Sequence, residues 1–258
     1  MTCHRQYEMR PMCTVSMAMV VGVMIGTLSV LVAPRVIAGD LSLASAPREA
    51  GVDLTPPLYE RRLHPSPKAR IEGVARALDN NGPIVLPLVP DHVGLTMVRQ
   101  PVLYWYLSKP ISSPVMFVLV DTRSIQVIRD AILSPHPESG IQTISLKDLG
   151  VSLEPNVLYR WYLTVVLDID SPSRDIVSGG MIERTAEVLN ISDFPTFRGD
   201  TVRFYAEQGL WYDAFASISD LIVAAPDNQI LRNQRASLLQ QIGLQEVAKW
   251  DLQQVPPN

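Results

Sequence analysis

The chain has 258 residues, enough for one large domain or two modest ones with a buried core. Apolar residues make up 47% of it and charged residues 19%, which is typical of globular rather than disordered proteins. The formal charge is −4, and lysine and arginine form no cluster, which argues against a nucleic-acid partner.

The first 38 residues have the three parts of a secretory signal. Arg5 and Arg10 precede an uncharged run at 14–33, and Val36-Ile37-Ala38 then offers the small or apolar side chains that a signal peptidase recognises. We therefore expect cleavage before Gly39 and a periplasmic or extracellular protein. The alternative is an inner-membrane anchor at 14–33, because an apolar run of about 20 residues can span a bilayer.

Both cysteines, Cys3 and Cys13, precede the uncharged run, so a chain cleaved before Gly39 contains no thiol. Disulfides, thiolate catalysis and cysteine-ligated zinc are thereby excluded from the exported part.

Residues 39–83 are predicted to be a proline-rich, extended lead-in. Five prolines interrupt 39–70, and each restricts the residue before it to extended geometry. At the end of this segment, residues 71–78 are predicted to form two helical turns, because Ile71, Val74, Ala75 and Leu78 would share one face.

Residues 84–195 are predicted to form an immunoglobulin- or fibronectin-III-like β-sandwich. β-Branched and aromatic runs alternate with turn residues at short intervals, as in other sandwiches. The clearest strands are 103–107, 115–120, 141–146, 158–167 and 177–184.

The segment from Leu153 to Tyr159 has the spacing of a tyrosine corner, in which the tyrosine hydroxyl bonds to the chain entering its strand. Alternation along that strand places Tyr159, Trp161 and Leu163 on one face, and Arg160 and Tyr162 on the other.

Residues 196–258 are predicted to be a tetratricopeptide-like helical tail. Gly209-Leu210 and Ala214 recur 34 residues later as Gly243-Leu244 and Ala248, and 34 is the period of that repeat. The motif covers about three and a half helices, whereas such repeats need about three copies to bury their faces. We therefore expect the tail to dock on the sandwich, or on a second subunit.

No recognisable catalytic or phosphate-binding motif is present, so we expect no enzyme activity, no metal and no cofactor. Residues 168–175 contain three carboxylates, Asp168, Asp170 and Asp175. They lack the glycine and the final glutamate of a calcium loop, which favours a polar turn.

The histidines of the exported part are expected to be solvated loop residues. They are His64, His92 and His136.

Six residues form a candidate interaction surface. Two tyrosines of strand 103–107 lie opposite Trp105 by alternation, and outward tyrosines can stack on sugar rings. They can equally cover an edge or receive the helical tail, which is the preferred interpretation. Trp211, which precedes two of the six, is expected in the core, and Asp213 is expected to favour the positive end of its helix. The six are Tyr104, Tyr106, Arg160, Arg184, Tyr212 and Asp213.

Several motifs occur in a fixed order between residues 84 and 250. The most specific is Gly209-Leu-Trp-Tyr-Asp-Ala214, and others are Tyr104-Trp-Tyr106, Tyr159-Arg-Trp161 and Gly180-Met-Ile-Glu-Arg184. Together they resemble the bacterial exported family called domain of unknown function 928. The chain departs from the family pattern at Arg235, where an aromatic residue is expected, and it lacks a cysteine near Val166. The resemblance implies export and this architecture, and it adds no mechanism, because the family carries no established activity.

Three functions stay open at this point. The preferred one is a non-catalytic, extracytoplasmic protein that binds another envelope or exported protein. The alternative is a glycan-binding module that uses Tyr104, Tyr106 or loop residues, and the least favoured is an unrecognised hydrolase built on residues 168–175. Nucleic acid is not expected as a partner, and membrane contact is expected only through an uncleaved N-terminal segment.

Overall fold

The computed structural model describes residues 55–61, 68–74, 82–133, 138–167, 175–186 and 198–254. In these residues, nine strands precede four helices. The strands are β1 (Gly73–Val74), β2 (Ile84–Pro87), β3 (Gly94–Thr96), β4 (Val102–Leu107), β5 (Val115–Asp121), β6 (Gln126–Leu133), β7 (Gly140–Ser145), β8 (Leu158–Val165) and β9 (Ile176–Arg184). The helices are α1 (Arg198–Glu207), α2 (Trp211–Ala224), α3 (Gln229–Gln241) and α4 (Gln245–Leu252).

The strands form two sheets. One sheet has the order β1-β2-β4-β7 and the other the order β3-β9-β8-β5-β6. β3 and β9 are parallel, and the other neighbouring strands are antiparallel. Trp105 of β4 and Trp161 of β8 are both fully buried in one apolar cluster, so the two sheets share a core.

Strand β8 has the alternation that the sequence predicts. Tyr159, Trp161 and Leu163 are buried, whereas Arg160 and Tyr162 on the opposite face are half-buried. The tyrosine corner is confirmed as well, because the backbone N–H of Glu154 donates to the Tyr159 hydroxyl at 3.1 Å.

All five strands named from the sequence are present as β4, β5, β7, β8 and β9, with ends that shift by one or two residues. Strand β6 has no such signal, because most of its residues are exposed and no polar–apolar alternation marks a buried face.

The helix predicted at 71–78 is wrong where the structure describes it. Ile71 pairs with Gly179 of β9, and Gly73–Val74 form β1, which pairs with β2. Extended pairing outweighs the weak helical pattern here, because a β-branched residue such as Ile71 favours the extended conformation of a strand. The first sheet therefore includes residues before position 84. Ala75 and Leu78 lie outside the described residues.

The four helices form two hairpins with the same turn. Gly209 and Gly243 have φ angles of 68° and 83°, a left-handed conformation that glycine adopts without strain. In each turn the N–H of the next residue bonds to the carbonyl five residues back, as in a Schellman motif. The 34-residue repeat in the sequence therefore corresponds to two equivalent helix–turn–helix units.

A buried ion pair joins the later helices. The Arg235 guanidinium, in α3, donates to both oxygens of Asp251, in α4, and to the Ser219 hydroxyl of α2 at 3.4 Å. Asp251 is fully buried. Arg235, where the family resemblance implies an aromatic residue, is thus held by a charged partner on the neighbouring helix.

Helices long and apolar enough to cross a bilayer are not found in the described part of the chain. The predicted signal or anchor and the first part of the lead-in lie outside it.

Candidate functional site

Three consecutive residues at the start of α2 dock the helices on the sandwich. The Trp211 indole N–H donates to the Leu88 carbonyl at 2.8 Å. The Tyr212 hydroxyl donates to the Met181 carbonyl at 3.1 Å and accepts from the Trp161 indole at 3.0 Å. The most specific motif of the sequence is therefore an intramolecular contact, and Trp211 is in the core as predicted.

Asp213 completes this contact, because one of its oxygens, Oδ2, accepts a hydrogen bond from the Met97 N–H at 3.0 Å. It lies in the first turn of α2, as the sequence predicts, but it is buried and serves the β3–β4 connection. Burial raises the pKa of Asp213 to about 6, although the Met97 hydrogen bond opposes the shift.

The two tyrosines of β4 receive the helical tail, which confirms the preferred interpretation. Tyr104 contacts Phe215 of α2 edge-to-face with ring centres 5.1 Å apart, and Tyr106 contacts Trp250 of α4 in the same way at 5.3 Å. Their exposed fractions are 6% and 9%. Burial raises the pKa of the Tyr104 hydroxyl to about 12.

Four of the six candidate surface residues are therefore not on the surface. Tyr104, Tyr106, Tyr212 and Asp213 are buried between the sandwich and the helices, because the tail covers the face that alternation alone leaves open. They cannot form an exposed interaction surface in this fold.

The two candidate arginines lie elsewhere. The Arg184 guanidinium donates to the Met97 carbonyl at 3.4 Å and to the Leu153 carbonyl at 3.1 Å, so it ties two connections together. Arg160 lies on the outer side of the five-stranded sheet, where it donates to the Met181 sulfur at 3.0 Å.

A cleft of about 220 Å³ lies beside Asp213, between the β3–β4 connection, α1 and α2. Asp213 and Asp220 contribute carboxyl groups, and Tyr205 and Ser217 contribute hydroxyls. The described residues that line the cleft include no lysine, arginine or histidine. The cleft therefore suits a neutral or cationic group, and its described lining offers no hydroxyl activated by a histidine base.

His92 is buried, so its prediction as a solvated loop residue is wrong. Its Nδ1 bonds to the Asp91 carboxylate at 3.2 Å, and its Nε2 to the Tyr59 hydroxyl at 3.0 Å. Burial lowers the pKa of His92 while the Asp91 bond opposes this, and burial raises the pKa of Tyr59. The tyrosine is thus no activated nucleophile, and the group of three holds the lead-in in place. His64 and His136 lie outside the described residues.

Residues 55–61, here called the strap, lie along the ends of α1 and α3. The Gln241 amide accepts from the Tyr59 N–H at 2.8 Å and donates to the Pro57 carbonyl at 2.9 Å. The Glu60 N–H donates to the Ala206 carbonyl, near the end of α1, at 3.0 Å. The sequence predicts an extended segment here and gives no sign that it binds the helices.

The second feature that the sequence does not signal is an exposed apolar surface, here called the outer sheet face. Ile132, Met116, Thr164 and Val177 lie side by side across β6, β5, β8 and β9, as the strand registers require. Ile132 is 75% exposed, Met116 41% and Val177 45%. The outer sheet face consists of this row together with Val118, Val127, Arg160 and Tyr162.

The carboxylates predicted near 168–175 are only partly described. Asp175 accepts a hydrogen bond from the Leu167 N–H at 3.2 Å. Asp168 and Asp170 lie outside the described residues. Within the described residues, no group of three or more acidic, histidine or cysteine side chains has the arrangement of a metal site.

Among the curated proteins, no sequence matches this chain. Among solved structures, the chain is similar to a DUF3244 family protein with an immunoglobulin-like β-sandwich fold from Bacteroides vulgatus, at 17% identity over 31% of this chain and 74% of that one, with a TM-score of 0.22. It is also similar to a multi-domain immunophilin from Arabidopsis thaliana, at 7% identity over 75% of this chain and 99% of that one, with a TM-score of 0.17. Residues 71–252 match the family described as Domain of Unknown Function (DUF928), which confirms the resemblance seen in the sequence. Because this match covers well over half of its length, the chain belongs to the DUF928 family.

Proposed function

We propose that the protein is exported and non-catalytic, and that it binds another envelope protein through the outer sheet face. The observation that carries the proposal is that Ile132, Met116 and Val177 leave large apolar side chains in water along one row that crosses four strands. Contiguous apolar patches on a folded protein usually mark binding surfaces.

The composition of this face also supports a protein partner. Methionine, tyrosine and arginine are enriched at protein–protein interfaces, and Met116, Tyr162 and Arg160 lie on this face together. Exposed Asp130 adds an acidic group to the edge of the face, so the apolar row has a polar rim.

We also propose that the two sheets form an immunoglobulin-like sandwich and that the four helices form a tetratricopeptide-like tail. The pairing of β2-β4-β7 in one sheet and β9-β8-β5-β6 in the other, together with the tyrosine corner, supports an immunoglobulin-like sandwich. The two equivalent turns at Gly209 and Gly243 support a tetratricopeptide-like tail. Burial of Tyr104 and Tyr106 removes the stacking surface on which the glycan alternative relied, apart from loop residues.

The docking proposal is tested by tagged full-length variants expressed in the native host. Ile132→Asp places a charge in the apolar row, and Val223→Asp is the matched control, because Val223 is an exposed apolar residue of α2. The expected result is stoichiometric capture of one envelope protein by the wild-type chain and the control, and its loss from Ile132→Asp at an unchanged melting temperature. Equal capture by both variants refutes the proposed surface. A purified wild-type dimer that Ile132→Asp dissociates shows a second copy as the occupant instead.

The export part of the proposal is tested on the same preparation. Mass spectrometry of the N-terminus is expected to find Gly39 as the first residue. An intact N-terminal segment in the membrane fraction indicates an anchored protein instead of a cleaved one.

A further inference from the structure

We propose that the groove that holds the strap is a binding site for extended peptides, and that it accepts a proline followed, two residues later, by a tyrosine from a partner protein. In this chain the strap occupies the groove as an internal ligand. The inference does not rest on the outer sheet face, which lies on the five-stranded sheet.

The groove recognises the main chain of the strap. The Gln241 amide bonds to both an N–H and a C=O of the strap, at Tyr59 and Pro57, as a neighbouring strand would. The Ala206 carbonyl accepts from the Glu60 N–H at 3.0 Å, and the Arg203 guanidinium donates to the Thr55 carbonyl at 2.9 Å. Bonds of this kind hold a peptide of almost any sequence in an extended form, as in β-augmentation.

Two side chains of the strap give the groove its specificity. Pro57 is buried, and Tyr59 packs edge-to-face on Trp211 with ring centres 5.1 Å apart while its hydroxyl bonds to His92. Leu58, between them, is 62% exposed, and Glu60 is exposed as well. Alternate residues thus face the groove and the solvent, so a proline and a tyrosine two positions apart are the anchors that a ligand needs.

Both helical hairpins contribute to the groove. Ala206 and Arg203 lie on α1, and Gln241 lies at the end of α3, close to the two equivalent turns. The strap therefore bridges both repeats, in the way that a peptide ligand spans a repeat array. Leu58 and Glu60 of the strap face the solvent, so a partner peptide needs only the two anchors and an extended main chain to make the same contacts in its place.

The experiment uses the full chain and a fluorescent synthetic peptide with the sequence of residues 53–63. Tyr59→Ala removes one anchor of the internal strap and frees the groove. By fluorescence anisotropy, the peptide is expected to bind Tyr59→Ala at least about tenfold more tightly than the wild-type chain, whose strap competes at a high effective concentration. A peptide in which tyrosine is replaced by alanine is expected not to bind.

A second change separates groove binding from non-specific adhesion. Adding Gln241→Ala to the Tyr59→Ala chain is expected to abolish peptide binding, whereas Gln240→Ala, an exposed neighbour on α3, leaves it unchanged. Ile132→Asp on the outer sheet face is also expected to leave it unchanged, which keeps this test distinct from that of the docking proposal.

Absence of peptide binding to a folded Tyr59→Ala chain, or binding that survives Gln241→Ala, overturns the inference. If Tyr59→Ala does not fold, Pro57→Ala serves in its place. A wild-type chain that dimerises through an exchanged strap also overturns it, since the occupant is then a second copy.

Discussion

At the scale of single residues, Asp213 is a buried carboxyl whose pKa is raised by its environment. It lies between α2 and the β3–β4 connection, and burial raises its pKa to about 6 from an ordinary value of 3.8. A carboxyl whose pKa is higher in the folded state contributes stability below the unfolded pKa, and this contribution is lost as pH rises through the folded pKa.

We therefore expect the wild-type free energy of unfolding, relative to that of Asp213→Asn, to fall by up to about 3 kcal/mol between pH 4 and pH 7. The amide keeps an acceptor for the Met97 N–H and has no charge to bury. Urea unfolding of both proteins at pH 4, 5, 6 and 7 measures the difference. Parallel pH profiles would mean that Asp213 titrates as an ordinary carboxyl.

Tyr159 offers a second prediction at this scale. Tyr159→Phe removes the acceptor of the Glu154 N–H while it keeps the buried ring. We expect a loss of about 1 kcal/mol in the free energy of unfolding, the net value of a typical hydrogen bond. Tyr162→Phe, on the half-buried face of the same strand, is the control and is expected to change stability less.

At the scale of the helices, the pair of Arg235 and Asp251 fixes how α3 and α4 pack. The Arg232 guanidinium is a second cation, 3.4 Å from the Asp251 carboxylate. The Ser219 hydroxyl of α2 accepts a hydrogen bond from the Arg235 guanidinium. The loss of hydration offsets much of the attraction between charges that are buried this deeply, so we expect the pair to contribute more to specific packing than to stability.

Asp251→Ala is expected to cost about 3–5 kcal/mol in the free energy of unfolding, because it leaves buried guanidinium groups without a counter-charge. The double variant Arg235→Met/Asp251→Leu is expected to lose less than that single variant. Urea unfolding of the wild type, of Arg235→Met, of Asp251→Leu and of the double variant measures the coupling between the two side chains. If the double variant loses as much free energy of unfolding as the two single variants lose together, the two side chains do not act as a buried pair.

At the scale of the whole molecule, the helices and the sandwich depend on each other. The helices cover Tyr104 and Tyr106 and satisfy the Trp161 indole, and the sandwich covers the start of α2. Two helical hairpins have little surface on which to bury their own apolar faces, and in this fold the sandwich provides part of that surface.

Deletion of residues 198–258 is therefore expected to lower the melting temperature by more than about 5 °C, since about 1 kcal/mol corresponds to 2–4 °C in a chain of this size. The two uncovered tyrosines should also reduce solubility. Trp250→Ala, which uncovers Tyr106 and leaves Tyr104 covered, is expected to have a smaller effect. Thermal unfolding followed by circular dichroism measures the melting temperature of both variants. A truncated chain as stable as the full one would show that the two parts are independent.

Much of this architecture could be predicted from the sequence, because its signals are local. β-Branched runs and turn residues mark β4, β5, β7, β8 and β9, and the spacing from Leu153 to Tyr159 marks the tyrosine corner. The 34-residue repeat marks the two hairpins. These features depend on neighbours along the chain, which the sequence gives directly.

The candidate site could not be predicted in the same way, because it depends on which surfaces meet. Alternation shows that Tyr104 and Tyr106 face away from Trp105, but not whether water or a helix lies beyond them. The same limit explains the wrong prediction for His92. Its position next to Asp91 favours a solvated side chain, but Tyr59, 33 residues away in the chain, packs on it.

The sequence by itself determined the family, the order of strands before helices, and the side of β8 that is buried. Only the tertiary structure decided that the tail covers β4, that the strap lies across the helix ends, and that the outer sheet face stays exposed. The physical reason is that hydrogen-bond spacing and side-chain alternation are set within a few residues, whereas burial is set by contacts between residues far apart in the chain.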